Sequence, residues 1–296
     1  MINVIKYKGI FLGVSGALVA LSVAAIAVFG FRPGIDLVGG TSWQIEANAS
    51  LDRIQSVMKD ASGGEASVKT SGDGSFIIRF KDSSEEKHQE YLKALQDSFG
   101  EIKEKNFSSI GPTIGSELRR SAIWAIILVL VGISLYVAFA FRKVSEPVRS
   151  WKYGLVTLIT LFHDVAVPAG LLAVLGKLKG IEIDTNFIVA LLVVMGFSVH
   201  DTIVVFDRIR ENLILFRGRK AALSDIINTS VHETIVRSVN TSLTLVLVLL
   251  TLVFFGPAPL FYFVLTILVG TVVGTYSSIF VASPLLYLWQ KKQQGA

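Results

Sequence analysis

The chain has 296 residues, of which 52% are hydrophobic and 17% charged, with a net charge of +5 and a mean hydropathy of +0.60. A composition this apolar excludes packing as one water-soluble core and marks a membrane protein. The absence of cysteine excludes disulfides and thiolate metal sites, and His88, His163, His200 and His232 show no ligand spacing such as i, i+4.

The first apolar run, Ile10 to Phe31, follows Lys6 and Lys8 and contains Ala25-Ile26-Ala27, a formal signal-cleavage pattern. It continues through Val28 and Phe29 to about 20 residues, longer than a typical signal core, and residues 1–31 are read as an uncleaved transmembrane anchor. Residues 32–120 are the one long polar segment, with 12 Lys+Arg against 14 Asp+Glu, and are read as an extracytoplasmic domain. Within it, alternation over Ser42 to Ala47 predicts a strand, and Ser50 caps a helix that runs through Ala61. Ala66 to Thr70 and Ser75 to Lys81 predict a hairpin around Gly72-Asp73-Gly74. Ser83 and Glu86 form a capping box for a second helix, with Tyr91, Leu92, Leu95 and Phe99 as its apolar face and Gly100 as its stop. A last strand is expected over Ile102 to Ser109. The order βαββαβ is that of a ferredoxin-like domain, for which about 80 residues suffice. Nothing in this segment has a catalytic pattern. Gly39-Gly40-Thr41 lacks the GK[ST] of a nucleotide loop and predicts a tight backbone turn where the domain meets the membrane.

Five more apolar stretches follow: Ser121 to Phe141, Tyr153 to Gly176, Asn186 to Phe206, Val239 to Gly256 and Leu260 to Trp289. Each is near or above the roughly 20 residues that span a bilayer. The chain is therefore an expected α-helical polytopic membrane protein of six transmembrane helices, with residues 121–296 a five-helix bundle carrying a cytoplasmic loop, 207–237. Lys6, Lys8, Arg142, Lys143, Arg149, Lys152, Arg208, Arg210, Arg217, Arg219, Lys220, Arg237, Lys291 and Lys292 fall on one side of these spans, against Glu146, Asp207, Glu211, Asp225 and Glu233. The positive-inside rule makes that side, with both termini, the cytoplasmic one. The basic balance then reports topology, not nucleic acid. Between Arg208 and His232, basic residues alternate with Ile209, Leu213, Phe216, Ile226 and Ile227, which predicts a surface helix on the cytoplasmic lipid leaflet, docking onto a channel being the alternative. Gly270-x-x-x-Gly274 allows close helix approach inside the bundle or against a partner.

The block GFSVHDTIVVFDRIREN at 196–212 places Asp201 in an otherwise apolar span. A charge at bilayer depth costs on the order of 3 kcal/mol, so this acid is a candidate proton or ion site. Asp201 precedes Asp207 by six residues, roughly 9 Å of helix, and Arg237 follows Glu233 by four, roughly 6 Å. On consecutive antiparallel spans their depths match, and the two are expected to pair. Thr241, Thr244 and Thr251 extend a polar seam from Arg237, while Ser198, Val205 and Arg208 share the face of Asp201. Burial favours the protonated acid and approach of Arg237 the ionised one, so rocking helices would load and release a proton, whereas a static ion pair would only fix packing. A second acid, Asp164, lies beside His163, with Thr157 and Thr160 on its helical face and Pro168 four residues on. It either extends the proton path or accepts a hydrogen bond from the helix opposite.

Three blocks carry a family likeness: RPGIDLVGGT at 32–41, GPTIGSEL at 111–118 and the block around Asp201. With these and one domain between spans one and two, the chain resembles the SecF family of bacterial protein-export membrane proteins (SecD/SecF, RND superfamily). The resemblance implies an RND-type half bundle that works with a partner, SecD, and with the SecYEG channel on a translocating polypeptide, driven by the proton-motive force. Protons would be the coupling ion, with no other cofactor. It also implies functional roles for Asp201 and Arg237. The position before the acid is commonly Asn in that family and is His200 here, either an added titratable group in the relay or a position that tolerates polarity. A half-size exporter of small molecules would need a second large domain or a substrate-lined pocket, and a structural translocon scaffold would tolerate neutralising Asp201 and Arg237. The aspartate pair, HExxH and serine-nucleophile patterns of intramembrane enzymes are absent.

Overall fold

The computed structural model describes residues 3–64, 66–71, 74–81, 84–142, 148–216 and 221–294. They form two compact units, one of Pro33–Ile123 and one of Met1–Arg32 with Trp124–Ala296.

After helix α1 (Lys8–Phe29), a short helix α2 (Ile35–Val38) that no sequence pattern announced leads into strand β1 (Gly40–Glu46). Helix α3 (Leu51–Ala61), strands β2 (Ser67–Thr70) and β3 (Phe76–Phe80), helix α4 (Glu85–Phe99) and strand β4 (Lys103–Ile110) complete the first unit. The sheet order is β2-β3-β1-β4, antiparallel throughout, which is the ferredoxin-like arrangement the βαββαβ order predicts. Alternation does the sorting. Trp43 and Ile45 on β1 and Ile78 on β3 point to the same side, where Ile54 and Met58 of α3 and Leu95 of α4 cover them, and all six are fully buried. The cap of α4 is Ser84, whose Oγ accepts from the Lys87 amide at 3.4 Å. Ser83, Gly72 and Asp73, named in the predicted cap and turn, lie outside the described residues, as do Lys143, Glu146, Arg217, Arg219 and Lys220.

Two of the sequence blocks interlock. Gly39 and Gly40 adopt φ of +82° and +123°, and a Cβ added to Gly39 would lie 2.6 Å from the Cα of Pro112. One added to Gly115 would lie 2.5 Å from the Gly39 amide nitrogen. The double glycine is thus required both for a turn and for backbone-to-backbone contact with the start of α5 (Pro112–Ala140).

The second unit is helical: the rest of α5, then α6 (Ser150–Lys179), α7 (Thr185–Leu215), α8 (Leu223–Phe255), a 3₁₀ turn at Ala258–Leu260, α9 (Phe261–Ser277), a π-turn at Ser278–Ala282 and α10 (Ser283–Gln294). Among the described residues six helices, α1, α5, α6, α7, α8 and Ala258–Gln290, are long and apolar enough to cross a membrane. Helices α6 and α9 occupy the centre of the bundle, with Gly270 and Gly274 of α9 set against Val194 and Ser198 of α7 so closely that an added Cβ would meet them at 2.3 and 3.0 Å. The GxxxG pair therefore packs inside the bundle.

The expected surface helix over Arg208 to His232 does not exist as a separate element. Its first half continues α7 and its second half opens α8. Ile209, Leu213, Ile226 and Ile227 are buried against one another and against Val205 and Phe206, so the apolar residues that suggested a lipid surface form a helix-pair core instead. Extending both helices past the apolar spans satisfies their backbone and buries that face at once.

Candidate proton-carrying site in the membrane bundle

Two acids stand at the centre of the helical unit. Asp164 of α6 is fully buried, and its carboxylate is met from three helices. His163 Nδ1 donates to Oδ1 at 2.8 Å, Ser277 Oγ of α9 donates to Oδ2 at 2.7 Å, and Ser198 Oγ of α7 makes a short hydrogen bond to the same Oδ2. Three donors offset much of the cost of taking a carboxylate out of water. Pro168 sits within α6 and has no amide to offer the Asp164 carbonyl four residues earlier. Thr157 and Thr160, also buried, return their hydroxyls to the carbonyls of Tyr153 and Val156 and do not reach the acid. Asp164 thus accepts hydrogen bonds from opposite helices, one of the two roles its sequence context left open.

Asp201 lies one turn along α7 from Ser198, and only 1% of its surface is accessible. Its partners are hydroxyls: Ser242 Oγ of α8 at 3.2 Å and the Thr275 hydroxyl of α9. Ser242 and Thr275 are themselves hydrogen-bonded to each other at 2.5 Å. Thr275 and Ser277 are two residues apart on α9, so that helix carries a hydroxyl to each acid. Both hydroxyls that meet Asp201 also have a main-chain acceptor within reach, Ser242 the Ser238 carbonyl at 2.8 Å and Thr275 the Thr271 carbonyl at 2.9 Å. Ser277 has the Gly274 carbonyl at 3.1 Å. Among the described residues, Thr202, Ser238 and Thr271 add buried hydroxyls with no hydrogen-bond partner, and His163 Nε2 is likewise unpartnered.

The expected pairing of Asp201 with Arg237 is not found. Arg237 is on the exposed face of α8, while Ser238 and Ser242 form the buried face that meets Asp201. Cross-links between α7 and α8 fix the register: Arg208 Nε to Glu233 at 2.6 Å, Asn212 to Ser230 at 3.0 Å, and Asp201 to Ser242. Arg237 is therefore level with Val204, about one turn nearer the charged ends than Asp201, and one residue out of phase, which is about 100° around the helix. It lines a cleft of about 340 Å³ with Val204, Asp207, Arg208, Glu211, Glu233 and Thr234. Thr241, Thr244 and Thr251, expected as a polar seam, share its exposed face. His200 also points outward from α7 and makes no hydrogen bond among the described residues. Sequence reading missed Ser242, Thr275 and Ser277; the available signal was the i, i+4 hydroxyl pairs Ser238/Ser242 and Thr271/Thr275 within otherwise apolar spans.

Comparison with known proteins adds an independent line. Residues 90–292 match the model of the family described as protein export membrane protein SecD/SecF, C-terminal, and residues 24–50 match the SecD/SecF GG motif, which includes the interlocked Gly39 and Gly40. The chain is 43% identical over 307 residues to the protein translocase subunit SecF of Thermobaculum terrenum, covering 99% of this chain and 95% of that one. It is 36% identical over 289 residues to the protein translocase subunit SecDF of Thermus thermophilus, covering 94% of this chain and 37% of the other. Among solved structures, a crystal structure of SecDF, a translocon-associated membrane protein from the same Thermus species, superposes with a TM-score of 0.84 at 34% identity, over 98% of this chain and 39% of that one.

Proposed function

Because the chain belongs to the SecD/SecF family of protein-export membrane proteins, we propose that it is an accessory subunit of the Sec protein translocation machinery that spends the proton-motive force on completing polypeptide export. It is a multi-pass membrane protein; its family membership supports a bacterial inner membrane, and the charge asymmetry of its loops supports both termini in the cytoplasm. The observation that carries the proposal is the pair of buried acids, Asp164 and Asp201, each met by hydroxyls from neighbouring helices, of which Ser277 at Asp164 and Ser242 and Thr275 at Asp201 have a second acceptor.

A hydroxyl is donor and acceptor at once, so it serves an ionised carboxylate by donating and a protonated one by accepting. Rotation of Ser242, Thr275 and Ser277 toward their alternative carbonyls lets both protonation states exist without an orphaned buried group. Among the described residues no lysine or arginine pairs with either acid, His163 being the one basic side chain at Asp164, and a proton is the one charge the cradle can take up by bond rotation alone. At about 150 mV a proton crossing the membrane supplies roughly 3.5 kcal/mol, enough to reverse a conformational preference of a few kcal/mol.

The exposure of Arg237 on α8 supports a role toward a second half bundle. A SecD-type subunit fits that position: RND-type bundles are pseudo-symmetric pairs, and the SecDF relative is a single chain of which this one covers 37%. The SecYEG channel, the translocating polypeptide and membrane lipid complete the proposed set of partners. The test is translocation into vesicles that contain this chain with its partner. Asp201→Asn, which keeps shape and hydrogen bonding, is expected to reduce the rate to that seen without a proton gradient. A variant that still responds to the gradient removes the proposal.

A further inference from the structure

The last membrane helix is interrupted by one wide π-turn, Ser278–Ala282, between α9 and α10. Such turns occur mostly singly inside α-helices and recur at functional positions. The residues around this one divide between two tasks. Ser277, which leads into the turn, donates to Asp164 Oδ2 at 2.7 Å. Tyr276 and Phe280 reach to α1. The Tyr276 hydroxyl accepts from Ser15 Oγ and donates to the Phe11 carbonyl, both at 3.2 Å. The Phe280 ring lies 4.5 Å from that of Phe11 and 5.3 Å from that of Tyr276, centroid to centroid.

Helix α1 packs chiefly along α6, and these contacts are its link to the last membrane helix. Ser15 is its one buried residue. Against α6 the approach is close, and a Cβ on Gly170 would come 2.5 Å from Ser22. Along the chain, α1 runs directly into Pro33 and the βαββαβ unit.

We infer that the π-turn is the element that passes a change at Asp164 to α1, with Ser277 as the input and Tyr276 and Phe280 as the output. The inference rests on the reading of the buried acids as proton carriers. Ionised Asp164 can only accept, and its Oδ2 takes two O–H donors, Ser198 and Ser277. When a proton binds Oδ2, that oxygen becomes a donor and one hydroxyl must turn. Ser277 is the one with a second acceptor at hand, the Gly274 carbonyl at 3.1 Å. Its hydroxyl hydrogen moves to that carbonyl while its oxygen accepts the new O–H of the acid. One O–H bond forms on Asp164 and nothing else changes covalently. The titratable groups around Asp164 are His163 on α6, Asp201 one turn along α7 from its partner Ser198, and Tyr276 of α9 beyond His163, with ring centroids 6.5 Å apart. Turning Ser277 alters the hold on the wide turn, and the two aromatic side chains that seat α1 belong to that same stretch.

Tyr276 is thus a positioning residue, and its role is measurable apart from transport. The chain has no cysteine, so paired spin labels can be placed on single introduced cysteines at Leu21 of α1 and Val272 of α9, both exposed. In the full chain with its partner in lipid vesicles, Asp164→Asn, which fixes the neutral form, is expected to shift the label-to-label distance. Tyr276→Phe keeps the ring and removes the hydroxyl; alone it is expected to leave proton uptake by the vesicles in place, and on that background the Asp164→Asn shift is expected to be lost. A shift that persists with Tyr276→Phe, or no shift in the parent chain, overturns the inference. Should Tyr276→Phe fail to insert, Ser277→Ala decides in the same way. If the Tyr276-dependent shift is present but translocation ignores Asp201→Asn, the proton-carrier reading falls and the coupling of the π-turn to α1 stands.

Discussion

Carboxylates are held in two regions of this molecule by different chemistry. In the βαββαβ unit, Glu104 Oε2 accepts from Trp43 Nε1 at 2.8 Å and faces His88 Nε2 at 2.7 Å, while Glu85 Oε1 faces His88 Nδ1 at 3.2 Å. The imidazole is nearly buried, stacked on Phe107 at 3.9 Å and edge-on to Trp43. Its geometry ties α4 to β1 and β4. Ring N–H donors on rigid, packed aromatic side chains cannot turn to another acceptor, so this arrangement is a lock. In the membrane bundle, Asp164 and Asp201 are served mainly by serine and threonine hydroxyls, which swing about one bond and have carbonyls to swing to. That arrangement is a switch. The difference lies in the rotational freedom of the donor, not in the acid.

The sharpest way to break this contrast is to neutralise an acid in the bundle. Asp201→Asn is expected to abolish the gradient-dependent part of translocation and yet change unfolding free energy by less than about 1 kcal/mol, because the amide still accepts from Ser242 and Thr275. Reconstituted transport read alongside denaturant unfolding checks both halves. A large stability loss would make the site a lock like the other. In the βαββαβ unit the expectation reverses. Glu104→Ala leaves Trp43 Nε1 and His88 Nε2 without their partner and is expected to cost about 1–3 kcal/mol, seen as faster hydrogen exchange across β1 and α4.

Much of this could be read from sequence, and what could not has a common cause. The βαββαβ order was legible because strand alternation at Trp43, Ile45 and Ile78 and helix periodicity at Tyr91 and Leu95 are properties of single elements. Asp201 was legible because an acid in an apolar run is conspicuous. Its partners were not, since serine and threonine are common in membrane helices and only the phase of α8 decides which of them faces inward. One residue separates Arg237, which is exposed, from Ser238, which is 1% exposed. Depth arithmetic from flanking charges carried an error of about one turn, and one turn is the whole distance between a buried acid and a surface cleft. The pairing of the extended ends of α7 and α8 was hidden for a related reason: Ile209, Leu213, Ile226 and Ile227 suit a lipid surface as well as each other, and pairing is a tertiary fact.

The exposure of Arg237 sharpens the contrast in a different way. As a surface residue of the isolated chain it is expected to be nearly neutral for stability, with Arg237→Gln shifting unfolding by no more than about 0.5 kcal/mol. Transport with the partner present is nevertheless expected to fall. Comparing denaturant midpoints of the chain alone with translocation in the two-subunit vesicle separates the two effects, and an equal loss in both would place Arg237 in the structural core after all.

The smallest expected effect concerns pH at the lock. Glu85 is fully exposed, and its carboxyl is held below the ordinary range first by a hydrogen bond from Gln89 Nε2 at 2.7 Å and then by His88. A carboxyl with a depressed folded value contributes stability above its unfolded value, about pH 4.3 for glutamate, and that contribution is lost as pH falls through the folded value. Solvent screening keeps the contribution small. The first turn of α4 is expected to lose exchange protection on acidification beyond the loss seen in Glu85→Gln, while the amides around Asp164 show no difference between the two proteins. Equal acid responses in the parent and Glu85→Gln would mean that the Glu85 contacts are incidental and that Glu104 and the aromatic rings alone hold His88.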